Sequence, residues 1–160
     1  MIRVFVQGLT IDSASNSPIL ILKEMEGERT LPIWIGLLEA TAIASELESV
    51  SFSRPMTHDL MRNLLEALGR SVSRVEVVDL RDNTFYALIH LLGPEGEISI
   101  DSRPSDAIAL ALRTEAPIYV AEKVLERSGL TVKSTDEDAE EKWKEILESM
   151  DPDDFGKYKM

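Results

Sequence analysis

The chain contains no cysteine. That excludes disulfides, thiolate metal sites and a cysteine nucleophile. No apolar run approaches the roughly 18 residues that a membrane-spanning helix requires. The start, Met1-Ile2-Arg3-Val4-Phe5-Val6, enters a strand-like pattern directly and lacks the layout of a signal peptide. A cytoplasmic protein is therefore expected. Histidine is scarce, with only His58 and His90 available as neutral-range acid–base groups. The GxGxxG, P-loop, HExxH and GxSxG patterns are all absent, which removes the common nucleotide-binding and hydrolase signatures. Lysine is sparse as well. Residues 1–130 hold twelve basic side chains, ten of them arginine, against nineteen acids.

What is present describes a globular chain. Its 160 residues are 44% hydrophobic, enough for one domain with a real core. The net charge of −12 is the wrong sign for a protein that grips nucleic acid by charge alone, since phosphate contacts normally leave a basic footprint. The charge is uneven, because residues 131–160 carry ten acids and five lysines. An arginine-rich, lysine-poor body fits either a site for phosphate or carboxylate or a network of structural ion pairs.

Hydrophobic periodicity organises the body. Residues 2–12 and 19–25 read as a hairpin, and residues 29–35 add a third strand. From Leu37 the period becomes helical, with Ala40, Ile43, Ala44, Leu47 and Val50 on one face. A second helix follows Pro55, with Leu60, Met61, Leu64, Leu65 and Leu68 as its apolar face and Gly69 as its C-cap. Residues 71–80 and 84–92 form a hairpin around Arg81-Asp82-Asn83, and residues 97–100 add a strand. A short helix over 105–113, a strand over 118–121 and a closing segment over 122–128 complete the body. The hairpin connections predict an α+β fold with a mixed, mainly antiparallel sheet packed with helices. The strand from Thr84 to Leu92 is apolar on both faces, so helices or a second subunit must cover both. The division expected is a domain over 1–130 and an acidic tail over 131–160. In that tail Trp143, Ile146, Leu147 and Met150 form one stripe of a short amphipathic helix.

Two similar segments hold most of the chemistry. One is Ser53-Arg54-Pro55-Met56-Thr57-His58-Asp59. The other is Asp101-Ser102-Arg103-Pro104-Ser105-Asp106. Each opens a helix, and each combines arginine, proline, a hydroxyl and aspartate. Arg54 and Arg103 suit a phosphate fork at a helix N-terminus, or else a structural pair with a nearby carboxylate. Asp101 and Asp106 lie at a strand end and a helix start, where they could share Mg²⁺ or Mn²⁺. A first-turn aspartate behind a Ser105 or Thr57 N-cap is also ordinary helix-start chemistry, and that reading covers Asp59 too. His58 is a candidate base or metal ligand. Glu39, behind Trp34-Ile35-Gly36, is a further acid candidate. His90, inside an apolar strand, reads as a satisfied core or interface histidine.

These residues carry a resemblance. Leu31-Pro32-Ile33-Trp34-Ile35-Gly36 with Glu39-Ala40, Arg54 to Leu60, Phe85-Tyr86-Ala87, Asp101 to Ala107 and Pro117 to Val120 occur in this order. Together they resemble the bifunctional nuclease domain family over roughly residues 1–130, close to a thermophilic bacterial member. The resemblance implies a compact α+β domain that self-associates, expected here as a homo-oligomer, namely a dimer, and cleavage of both RNA and DNA. The expected function is a metal-assisted phosphodiesterase on nucleic acid. Asp101, Asp106 and Glu39 would serve Mg²⁺ or Mn²⁺ and water activation, Arg54 and Arg103 would hold phosphate, and His58 with Asp59 would move protons. The rivals are a non-enzymatic oligomeric module and a hydrolase of small phosphoesters. Convergence of these residues in one open cleft favours the enzyme, whereas scatter or buried pairing favours the module.

Overall fold

The computed structural model describes residues 1–131. The amphipathic stripe from Trp143 to Met150 lies outside the described residues. The first three strands, β1 (Ile2–Ile11), β2 (Pro18–Glu24) and β3 (Arg29–Trp34), form an antiparallel meander. Helices α1 (Leu37–Leu47) and α2 (Thr57–Ala67) follow. A second meander comprises β4 (Ser71–Arg81), β5 (Thr84–Gly93) and β6 (Gly96–Ser102). Then come α3 (Pro104–Thr114), β7 (Ile118–Val120), α4 (Glu122–Ser128) and β8 (Leu130–Thr131).

All the described strands join one sheet in the order β6-β5-β4-β7-β1-β2-β3-β8. Every pairing is antiparallel except β4 with β7. The fold is thus α+β with a mixed, largely antiparallel sheet. The short β7 joins the two meanders. Helix α4 touches both β3 and β4, which have three strands between them, so the sheet is strongly curled.

Local chemistry fixes the connections. Asp82 and Asn83 both take positive φ, 49° and 60°, as a two-residue hairpin turn of the primed type requires. Gly69 has φ 69° after α2, and Arg70 N–H donates to the Leu65 carbonyl at 2.8 Å, closing the helix end. The helix starts differ from expectation. The N-caps are Met56 and Arg103, not Thr57 and Ser105. At α3 the cause is Pro104, whose fixed φ and missing N–H suit the first helical position and move the boundary forward.

The core lies between the sheet and the helices. Leu20, Leu22, Leu31, Ile43, Val75, Val77, Ile108, Leu110 and Val120 are fully buried. Each such side chain contributes roughly 1.5–3 kcal/mol by leaving water. Ala107 to Ala111 are all buried, because α3 is wedged between α1, α2 and the β4–β5 part of the sheet. The apolar face expected for α1 is shorter than its periodicity suggests. Ala40, Ile43 and Ala44 are buried, but Leu47 and Val50 are exposed at and beyond the helix end.

Alternation along β5 puts Ala87, Ile89 and Leu91 against the helices. The opposite face carries His90, with Ser99 Oγ 2.9 Å from its Nδ1 and Glu76 against its Nε2. His90 is thus a buried, partnered histidine. Among the described residues no helix is long and apolar enough to cross a membrane.

Candidate functional site

The N-termini of α2 and α3 lie side by side, and each places an aspartate at the third helical position. In α2 that residue is Asp59, and in α3 it is Asp106. Beyond that shared position their surroundings diverge.

Asp106 is the hub of an open chain of polar contacts. Its Oδ1 accepts a hydrogen bond from His58 Nε2 at 3.0 Å, and its Oδ2 accepts one from Arg103 Nε at 3.0 Å. An ionised carboxylate only accepts, so Nε2 carries the proton in this bond. Arg103 Nη1 then donates to Glu39 Oε1 at 3.0 Å. The order is His58–Asp106–Arg103–Glu39. Burial alone would raise the Asp106 pKa, but the His58 hydrogen bond and then the Arg103 bond and charge outweigh it and hold the carboxyl below its usual range. Arg103 is held above its usual value by Asp106 and then Glu39. Its side chain is nevertheless 64% exposed. A cationic fork is therefore presented to solvent with two carboxylates behind it.

Gly36 makes room for Glu39. It caps α1, and the Glu39 carboxylate folds back against it, into the space a Cβ would occupy. Trp34 stands two residues before Gly36, at the end of β3.

Asp59 sits in a different environment. Its Oδ2 accepts the Met56 N–H at 3.0 Å, and its Oδ1 accepts from Arg113 Nε at 2.9 Å. Arg113 belongs to the last turn of α3, and its side chain is only 3% exposed. Its remaining nitrogens donate to the Ala109 and Ala42 carbonyls, each at 2.9 Å. One guanidinium thus clamps α1, α2 and α3. Burial would raise the Asp59 pKa, but the Met56 N–H and then Arg113 overcome it, and the net shift is downward.

Two of the sequence candidates stand apart. Asp101 on β6 is opposite Leu88, while its neighbours Ile100 and Ser102 are opposite Ile89 and Ala87. Since Ile89 and Ala87 face the helices, Asp101 projects from the other side of the sheet, away from Asp106. Arg54 is exposed in the loop before α2 and makes no ion pair among the described residues. Arg113 is the residue that sequence reading missed. Its one signal is a cation that directly follows the apolar run Ala107 to Leu112 of α3.

The donor set does not form a ready metal site. Among the described residues no three His, Asp or Glu side chains are grouped as metal ligands. The cation between Glu39 and Asp106 is the guanidinium of Arg103, and His58 occupies the other oxygen of Asp106.

The fold and this arginine–carboxylate cluster define an α+β domain with one exposed polar site at paired helix starts. The chain belongs to the bifunctional nuclease domain family, whose sequence model matches residues 20–133. It is 45% identical over 162 aligned positions to an uncharacterized protein of Mycobacterium tuberculosis, covering 96% of this chain and 97% of that one. It is also 29% identical over 124 positions to Bifunctional nuclease 1 of Oryza sativa subsp. indica, and 27% identical over 130 positions to Bifunctional nuclease 1 of Arabidopsis thaliana. Those alignments cover 76% and 79% of this chain but only 38% and 40% of the plant proteins.

Proposed function

We propose that this chain cleaves phosphodiester bonds in RNA and DNA at the His58–Asp106–Arg103–Glu39 chain. The observation that carries the reading is Arg103, an exposed guanidinium bridging two carboxylates at the start of α3. Such a fork can exchange one carboxylate for a phosphate oxygen without losing the other. If Glu39 is the partner exchanged, its freed carboxylate stands beside the bound phosphate and can take a proton from an attacking water, while the P–O bond to the departing strand breaks and its oxygen takes a proton from His58 or solvent. Asp106 keeps Arg103 aimed, and His58 is the group that can hold or release a proton beside it. Arg54 supplies a second phosphate contact further along the strand. Asp59 acts at a distance, by fixing the start of the helix that carries His58.

The Mg²⁺ or Mn²⁺ expected from sequence would need Glu39 and Asp106 freed from Arg103, so metal dependence is a question for the same assay. Short RNA and DNA strands are incubated with purified protein in Mg²⁺, in Mn²⁺ and in chelator. Cleavage of both polymers is expected, falling roughly 100-fold in Arg103→Ala, as for loss of one positioned charge donor. Equal rates in wild type, Arg103→Ala and Asp106→Asn would remove the site from the chemistry. A panel of small phosphoesters tests the hydrolase alternative.

A second reading is favoured by α2. Leu60, Leu64 and Leu68 repeat every fourth residue and are exposed. That stripe suits a homo-oligomer, most simply a twofold dimer. Gel filtration and sedimentation of Leu64→Glu test it. A monomeric Leu64→Glu that still cleaves would make the two readings compatible. Assembly without any turnover would leave only the oligomeric module.

A further inference from the structure

We infer that Trp34 is a stacking platform for an unpaired base, so that the substrate of the proposed cleavage is single-stranded nucleic acid. This rests on the nuclease reading above for its substrate class, but its evidence is separate. Trp34 ends β3 with its residue surface 54% exposed, unusual for so large an apolar group. It is not a loose side chain. Its Nε1–H donates to Asp12 Oδ2 at 3.1 Å, and Asp12 is itself fixed by the Ala14 N–H at 3.0 Å and the Ser15 hydroxyl at 3.0 Å. An indole tethered at one edge presents its faces at low entropic cost.

Its position points to the site. Gly36, two residues on, lies within about 7 Å along the chain. The Glu39 carboxylate packs on Gly36 and meets Arg103. A phosphate on the Arg103 fork would therefore leave a neighbouring base within reach of the indole. Leu37 and Leu38, three and four positions after Trp34, are exposed as well.

Charge favours the same occupant. A chain of net charge −12 repels polyanions, and a duplex concentrates that repulsion more than a single strand. Stacking does not depend on charge and is available only to unpaired bases. It supplies affinity that the overall field withholds.

The test uses the full chain carrying Trp143→Phe, which leaves Trp34 as the sole indole. Three probes with non-cleavable phosphorothioate links are titrated: a short oligothymidylate, an abasic strand of equal length, and the oligothymidylate paired with its complement. Trp34 emission is expected to be quenched by oligothymidylate alone. Trp34→Ala should weaken oligothymidylate binding about tenfold and leave abasic binding unchanged, while Trp34→Phe retains most of the affinity. Equal binding of both strands by wild type and Trp34→Ala overturns the inference. So does sedimentation showing a dimer that Trp34→Ala dissolves, because a second copy would then own the patch. The two proposals fail separately. Base-dependent quenching without cleavage defeats only the nuclease reading. Cleavage of oligothymidylate by Trp34→Ala with unchanged KM defeats only the stacking.

Discussion

The starts of α2 and α3 are built from nearly the same words, Arg-Pro followed by a helical aspartate, yet they differ in kind. At α2 the aspartate is spent on architecture, since Asp59 receives the Met56 N–H and the buried Arg113. At α3 the aspartate faces an exposed arginine, and Asp106 ties Arg103 to His58. The arginines divide the same way. Arg113, with its side chain sealed among three helices, is part of the interior, whereas Arg103 is open to any anion in solution. A local sequence pattern can place a carboxylate at a helix start. Burial of its partner decides whether that carboxylate holds the fold or meets a ligand.

The sharpest way to break this comparison is to remove each arginine in turn. Arg113→Met should cost about 3–5 kcal/mol of stability, because it leaves Asp59 charged and unpaired against the helices. Urea or thermal unfolding measures it, and a loss under about 1 kcal/mol would mean that the clamp is ornamental. Arg103→Ala should do the reverse. Its effect on unfolding should stay within about 1 kcal/mol, as for an exposed pair. Cleavage, in the reading proposed above, should fall roughly 100-fold.

Acid should then separate the two sites. Both aspartates have folded pKa values lowered below the ordinary value of about 3.9. A lowered carboxyl contributes stability that is complete above the unfolded pKa and lost as pH falls through the folded one. Wild-type stability should therefore drop below about pH 4, and Arg113→Met should show a shallower drop. Equal acid slopes in the two proteins would sever Asp59 from the effect. The smallest change is expected from Asp101→Asn, which alters an exposed side chain on the far face of β6. Stability should move by less than about 0.5 kcal/mol, and cleavage should not change. A large loss of activity there would bring β6 into the site.

Sequence made the elements legible because their signals are local. The Asp82-Asn83 turn, the Gly69 helix end and the periodicity of both meanders each depend on a few adjacent residues. Glu39, His58, Arg103 and Asp106 were also legible as candidates, since arginine and carboxylate at helix starts stand out from an apolar background. Their connection was not legible. Asp101 is nearer to Asp106 along the chain than His58 is, yet strand alternation turns it away while α2 brings His58 in. Arg113 lies fifty-four positions from Asp59, so no local pattern joins them. The strand β8 escaped because two residues carry no period, and its pairing is supplied by β3.

The short strand β7 has a consequence for synthesis. The meander that begins the sheet and the meander from Ser71 to Ser102 share no direct strand pairing, and Ile118 to Val120 fill the gap between β1 and β4. During translation a chain that has emerged only as far as Pro117 therefore holds two incomplete sheets with open edges, each a template for wrong pairing. Three residues made late pair with the inner edge strand of each and join them. A nascent chain stalled with residues up to Pro117 outside the ribosome should be rich in hairpins not yet joined in one sheet.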